Sequence, residues 1–395
     1  DLFRQRLSRG FGGDGPTDEG ASQRFRDLLD LDRTFAAFDG GDIVGTGAAF
    51  TFDVTVPGGN PVAMGGTTMV SVQPTHRRQG VLRAMMAHHL DEVAERGEPI
   101  AGLWASESSI YGRFGFGAAT FRHEVNLDTA AITLRKPEPP GRVRLVDHDD
   151  AEPILRALYE RMRTVRPGML SRSDHWWTHR RMRDDESVRE DKSARRYAVY
   201  EEDGSAHGYA TYRQKEEWEG FFASGEVDVI EAIAVTPEAH RGLWQFLTNI
   251  DLFTKVEWWN APVDDPLPFE VTDPRRVQRR LWDAMWVRVM DVPAALEARS
   301  YETDGALTLR VEDAFRPATS GTYRLEVAGG EAACRRSDGE GEVTLGIDVL
   351  GHLYLGGGSA GAMAAAGRVA GSSEAVTRLH RIFRTDAAPW CPEVF

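Results

Sequence analysis

Met69-Val70-Ser71-Val72-Gln73-Pro74-Thr75-His76-Arg77-Arg78-Gln79-Gly80-Val81-Leu82-Arg83-Ala84-Met85-Met86 is the stretch on which the reading of the fold turns. Thr68, Val70 and Val72 alternate with Met69 and Ser71, the period-two pattern of a half-buried strand, and Pro74 stops it. Leu82, Met85, Met86, His89, Leu90 and Val93 then recur at helical spacing. Between strand and helix lies a basic loop closed by Gly80. Such a loop gathers backbone N–H groups and the positive end of a helix dipole at one point, and Arg77, Arg78 and Arg83 surround it. It is therefore a candidate cradle for a pyrophosphate. No GxxxxGK[ST] run occurs, which argues against a P-loop nucleotide site.

Outward from this stretch the chain repeats itself. Thr34 to Phe38, an Asp39-Gly40 turn and Gly45 to Phe50 read as a hairpin, and so do Arg196 to Tyr200, Asp203-Gly204 and Gly208 to Tyr212. The strand and loop from Met69 to Gly80 are echoed by Ile233-Ala234-Val235-Thr236-Pro237-Glu238-Ala239-His240-Arg241-Gly242, at the same offset of 162 to 163 residues. A constant offset implies duplication of one α/β module. The second copy of the loop is a residue shorter, and Leu243 and Trp244 stand where the first has an open helix start, so a phosphate cradle there would be misshapen. Pro-rich punctuation at Lys136 to Gly141, and the stretch from Ala294 to Asp304, divide the chain into 1–139, 142–296 and 297–395. In the last part strands (Ala306 to Val311, Gly321 to Val327, Glu342 to Ile347) precede helical stretches (Ala360 to Ala370, Ser372 to Phe383), an α+β order.

The 395 residues suffice for two to four domains with their own cores. With 47 Lys and Arg against 61 Asp and Glu, the net charge of −14 repels phosphate backbones and makes nucleic acid an unfavourable partner. Two cysteines, Cys334 and Cys391, form neither a disulfide framework nor a zinc motif, which fits a reducing cytoplasmic setting. No apolar run is long enough for a membrane span, and no metal site is expected. His175 and His179 share a helix face but lack an HExxH glutamate.

The pattern V-x-V-x-P-x-x-R-x-x-G resembles the acetyl-coenzyme A signature of the GNAT superfamily of N-acetyltransferases. Pro74 to Met86 together with Ala105-Ser106-Glu107-Ser108-Ser109-Ile110-Tyr111-Gly112-Arg113-Phe114-Gly115-Phe116-Gly117 resembles the Eis (enhanced intracellular survival) family within it. Asp265-Pro266-Leu267-Pro268, Pro293 to Arg299 and Leu350-Gly351-His352-Leu353-Tyr354-Leu355-Gly356-Gly357 extend the resemblance over nearly the whole chain. The resemblance implies mixed α/β and α+β architecture: two tandem GNAT modules, of which only the first is active, then a domain like sterol carrier protein. It also implies a homohexamer.

On the same basis acetyl-coenzyme A would be held by Val70, Val72, Arg77, Arg78, Gly80, Val81, Leu82, Arg83 and Ser106. Tyr111 would act as general acid and the carboxylate of Phe395 would receive the acceptor's proton. The acceptor would be a small cationic multi-amine such as an aminoglycoside, lying against Asp14, Phe25, Arg26, Phe50, Met69 and Glu231. Phe25 replaces a Trp usual in the family, Met69 a Phe, and Asp14 is the nearest acid to the position where one is expected. Two other functions compete: a lysine acetyltransferase acting on proteins or peptides, and a lipid-binding module built on the last part, whose Leu345, Ile347, Leu350 and Leu355 suit an ordinary core as well as a lipid tunnel.

Overall fold

The strand-loop-helix reading is realised in a computed structural model that describes residues 2–13 and 19–395. The chain forms two compact units. The first contains Asp1–Thr120, Arg166–Arg181 and Ala284–Phe395, and the second Phe121–Val165 and Met182–Asp283.

In the first unit a six-stranded sheet has the order Thr34–Asp39, Asp42–Thr55, Pro61–Val72, Ile100–Trp104, Met285–Val289, Gly117–Ala118. The first two strands form the expected hairpin, turning at Gly40 with φ 58°. Helix Val81–Glu95 buries Met85, Met86, His89, Leu90 and Val93, the positions its periodicity marks. Gly45 lets this helix approach the sheet, because a Cβ there would sit 2.5 Å from the Met85 sulfur. His89 adds a buried tie: its Nε2 lies 2.7 Å from Thr67 Oγ1 on the strand, its ring stacks on Phe35, and burial pushes its pKa down to about 4. It is therefore a neutral packing group.

The second unit has a seven-stranded sheet ordered Gln278–Asp283, Phe121–Asp128, Phe253–Pro262, Gly225–Ala234, Ser205–Lys215, Arg196–Glu202, Arg142–Val146. Helices His148–Arg163 and Pro237–Leu247 belong to it.

The two sheets exchange strands. Phe121–Asp128, which follows the first sheet's edge strand directly, joins the second sheet between Phe253–Pro262 and Gln278–Asp283. Met285–Val289, which follows the second module, is inserted into the first sheet between Ile100–Trp104 and Gly117–Ala118. Divisions at 139 and 296 thus do not coincide with the compact units. Ladder hydrogen bonds, which local punctuation does not report, decide where a strand belongs.

The last part of the chain folds within the first unit as a five-stranded sheet with helices Ile347–Tyr354, Ala360–Ala365 and Ser373–Phe383. The strand read as 342–347 ends at Gly346, because Ile347, Val349, Leu350, Leu353 and Tyr354 bury as one helix. The helix read as 360–370 stops at Ala365, and Val369–Gly371 pairs with Val343–Gly346 instead. Leu345, Ile347, Leu350 and Leu355 belong to a continuous core shared with Phe50, Met64 and Val287 of the first sheet. Among the described residues no helix is long and apolar enough to cross a membrane.

Candidate active site

The strand Pro61–Val72 pairs in parallel with Ile100–Trp104 only from Met64 to Gly66, opposite Ile100 to Gly102. Leu103 and Trp104 take their partners, Trp286 and Met285, from the exchanged strand on the other side. The two central strands therefore part beyond Gly66. Opposite that edge the strand bulges: Thr46 pairs with Ser71 and Ala48 with Thr68, so Met69 and Val70 both face Gly47, with Met69 at φ 55°. Thr46 Oγ1 donates to the Met69 carbonyl at 3.0 Å and, its one proton so used, accepts from Ser71 Oγ at 2.8 Å. The bulge straddles two clusters. Met69, like Phe395, packs against the core that includes Phe50, while Val70 and Leu82 pack against the one that includes Tyr111.

After a short 3-10 turn at Pro74–His76, Arg78 (φ 63°) and Gly80 (φ 87°) bend the chain into helix Val81–Glu95. No side chain caps this helix from Gly80, and among the described residues nothing lies within 4 Å of where a Gly80 Cβ would be. Arg78 and Arg83 are exposed beside the opening, and the Arg83 guanidinium lies 4.9 Å above the Phe315 ring. Arg77 instead fastens the loop, since its Nε donates to the Val72 carbonyl at 3.3 Å and its Nη2 to the Gly10 carbonyl at 3.2 Å. His76 is occupied by Thr75 and by Asp39 at 3.2 Å. An uncapped helix terminus flanked by two arginines suits a diphosphate in charge and in space.

Tyr111 ends the short helix Ser108–Tyr111 and is 7% exposed. Burial raises its pKa above the ordinary phenol value, against a hydrogen bond with Ser106 that lowers it. The phenol thus keeps its proton at neutral pH.

Phe395 sits at the parting strands. Its ring is 5.1 Å from that of Phe52, and a Cβ on Gly66 would meet its Cε2 at 3.2 Å. Phe52 in turn belongs to an aromatic group with Phe50 and Trp176. The tail leading to it is pinned by polar contacts, those of Glu393 buried and that of Arg180 exposed. Trp390 N donates to the Pro167 carbonyl at 2.8 Å, Arg180 Nη2 donates to the Val394 carbonyl at 2.8 Å, and Glu393 accepts from Trp176 Nε1 at 2.8 Å and pairs with Arg172. Glu393 is 1% exposed and serves as an anchor. Arg172 and Arg180 carry no signal in the sequence, because their partners lie more than 200 residues away.

Helix Glu19–Leu28, which carries two further acceptor candidates, packs against Asp174–Trp176 beside that aromatic group. Phe25 and Arg26 lie on helix Glu19–Leu28, Phe25 half-buried beneath Arg4 at 5.5 Å and Arg26 exposed. Asp14 lies outside the described residues. Glu231 belongs to the second unit, where it is buried and accepts the Tyr209 hydroxyl at 2.6 Å. His175 and His179 stack with ring centroids 5.8 Å apart.

The acetyltransferase (GNAT) domain profile matches residues 2–119, a second acetyltransferase (GNAT) profile matches 168–289, and a sterol carrier protein domain matches 292–392. The fold and the open strand-loop-helix site are thus those of a GNAT-superfamily N-acetyltransferase, a class that uses acetyl-coenzyme A. An uncharacterized N-acetyltransferase of Streptomyces avermitilis is 40% identical over 100% of this chain and 97% of its own length. The N-acetyltransferase Eis of Mycobacterium tuberculosis is 36% identical over 88% of this chain and 84% of its own. The crystal structure of Eis1 from Mycobacterium abscessus superposes with a TM-score of 0.85 at 31% identity, covering 100% and 96% of the two chains. The chain belongs to the Eis family of GNAT N-acetyltransferases.

Proposed function

We propose that this enzyme acetylates an amine of a small cationic multi-amine, of which aminoglycosides are the type, by direct attack of the neutral amine on the thioester of acetyl-coenzyme A. The co-substrate supplies an acetyl group activated by its thioester. Arg78, Arg83 and the helix start at Val81 would hold the diphosphate, with Arg77 and Gly80 shaping the loop. Val70 and Val72 would offer backbone N–H groups to the carbonyl oxygen. Tyr111, kept protonated by burial and oriented by Ser106, would hand its proton to the departing sulfur.

Direct attack is favoured over an acyl-enzyme because both cysteines are buried, with thiols pushed up to about 12 by burial. The observation that carries the reading is the seat of Phe395 over Gly66, where the central strands part. A terminal carboxylate anchored there would hold the ammonium and take its proton. Phe50 and Met69 would form the apolar wall beside it. Deleting Phe395, or fusing a segment after it, is expected to abolish acetyl transfer while calorimetry still shows coenzyme A binding. Full activity of a fused, ordered protein would overturn the role of the carboxylate.

A further inference from the structure

Tyr111 stands on a short stretch that its own hydrogen bonds hold weakly. Helix Ser108–Tyr111 is one turn long, Gly112–Phe114 continues it as a 3-10 turn, and Gly115 at φ 85° reverses the chain. The support comes from Arg288 on the exchanged strand and from the last part of the chain. Arg288, on the exchanged strand, is fully buried and donates Nη1 to the Phe114 carbonyl and Nη2 to the Asp313 carboxylate. Its guanidinium fills the space a Gly115 side chain would need, with Nη1 only 1.7 Å from that ideal Cβ, so the reversal and the arginine require one another.

Asp313, itself 3% exposed, uses its other oxygen to accept the backbone N–H groups of Phe315 at 3.0 Å and Arg316 at 2.9 Å. That turn reaches both halves of the site. Phe315 meets Phe114 edge-on at 5.0 Å and lies under Arg83, while Arg316 pairs with Asp91 on helix Val81–Glu95.

We propose that Asp313 and Arg288 are positioning residues for acetyl transfer. Through the turn 313–316 the sterol-carrier-like part sets the place of the Tyr111 hydroxyl against the helix that opens at Gly80. The inference rests on the reading of Tyr111 as the acid. It gives that part of the chain a role in catalysis that needs no lipid, and it makes kcat depend on a carboxylate that touches no substrate.

The test is a double-mutant cycle on the full chain, with acetyl-coenzyme A and an aminoglycoside as substrates and thiol release as the readout. Asp313→Asn keeps an acceptor for the two N–H groups but removes the charge that orients Arg288. It is expected to lower kcat by about tenfold or more, since small misplacements of a reacting group cost up to about 10². The KM for acetyl-coenzyme A should stay within about twofold. In a Tyr111→Phe background the same substitution should have no further effect, because the proton it positions is gone. Equal fold losses in both backgrounds, or an unchanged kcat in folded Asp313→Asn, would overturn the proposal. If Asp313→Asn does not fold, Phe315→Leu carries the same cycle judged on kcat alone, because Phe315 also lies under Arg83 and its loss is expected to raise the KM for acetyl-coenzyme A as well. Wild-type turnover in Tyr111→Phe alone would instead sink the reading of Tyr111 as the acid, a separate failure with its own measurement.

Discussion

The two modules place a helix after a strand and a proline, yet the two helix starts have opposite fates. At Val81 the chain runs through a loop with two left-handed residues and arrives uncapped, with no described residue above Gly80 and exposed arginines beside it. At Pro237 the helix begins at the proline itself, and Thr236 caps it by accepting the Ala239 N–H at 3.2 Å. His240 follows in that first turn, and its imidazole lies between Glu270 at 2.9 Å and Asp265 at 3.1 Å, with Trp244 Nε1 close by at 3.1 Å. Burial opposes the charge, but Asp265 and then Glu270 outweigh it and push the pKa up to about 10. The second helix start is thus capped, and the imidazole in its first turn is paired with two carboxylates. A terminus that binds must be left unsatisfied by the protein, and one that only holds the fold is satisfied internally.

The widest break of this symmetry is catalytic. Tyr111→Phe should lower turnover by roughly 10²–10⁴-fold, as for a lost general acid, with coenzyme A affinity retained. Near-normal turnover would remove the acid from the first module. On the other side, His240→Ala should leave the KM for acetyl-coenzyme A unchanged and cost about 3–5 kcal/mol of stability in denaturant unfolding, since two buried carboxylates lose their partner. The folded-state pKa of His240 lies above its unfolded value, so its contribution is complete below about pH 6.5 and fades as pH rises toward 10. A wild-type protein that gains stability over that alkaline range through this group would contradict the assignment of charge.

Cofactor binding gives the next contrast. Arg78→Ala, alone or with Arg77→Ala, should raise the KM for acetyl-coenzyme A by the equivalent of about 1.5–3 kcal/mol per lost charged contact. Calorimetry should count one coenzyme A site per chain, and a second site surviving the double substitution would place a cradle in the second module. The finest comparison uses the two glycines. Gly80→Ala meets no neighbour among the described residues and strains a positive φ, at about 1 kcal/mol, so it should affect binding more than melting. Gly242→Ala would bring a methyl to 2.4 Å from the Tyr200 ring and should lower melting at about 1–3 kcal/mol while leaving binding alone.

Local chemistry made much of this readable. The strand, the Pro74 stop, the helical stripe and the two hairpins each depend on residues within a few positions, and each element appears where its local pattern places it, although a bulge breaks the strand's alternation at Met69 and Val70. Shortening of the second loop was legible for the same reason. What the sequence hid depends on distant partners. The bulge at Met69 needs Gly47 opposite it, the anchoring of Glu393 needs Arg172 and Trp176, and the support of Phe114 needs Arg288 and Asp313. The exchange of Phe121–Asp128 and Met285–Val289 was equally invisible, since each reads as a plain strand whichever sheet receives it.

The exchange also governs how the molecule is made. Met285–Val289 is the last but one strand of the first sheet and holds the edge strand Gly117–Ala118 to it, yet it follows Ala118 by more than 160 residues. At about 5–20 residues per second of synthesis, the first sheet stays split on the ribosome for on the order of ten seconds or longer. Until then Ile100–Trp104 offers an unpaired edge to whatever strand comes near, and the wrong candidate, Phe121–Asp128, is already there. Ordering of the turn that carries Tyr111 is delayed in the same way, because Arg288 arrives on that late strand. Synthesis of the intervening module thus acts as a timer on the birth of the active site.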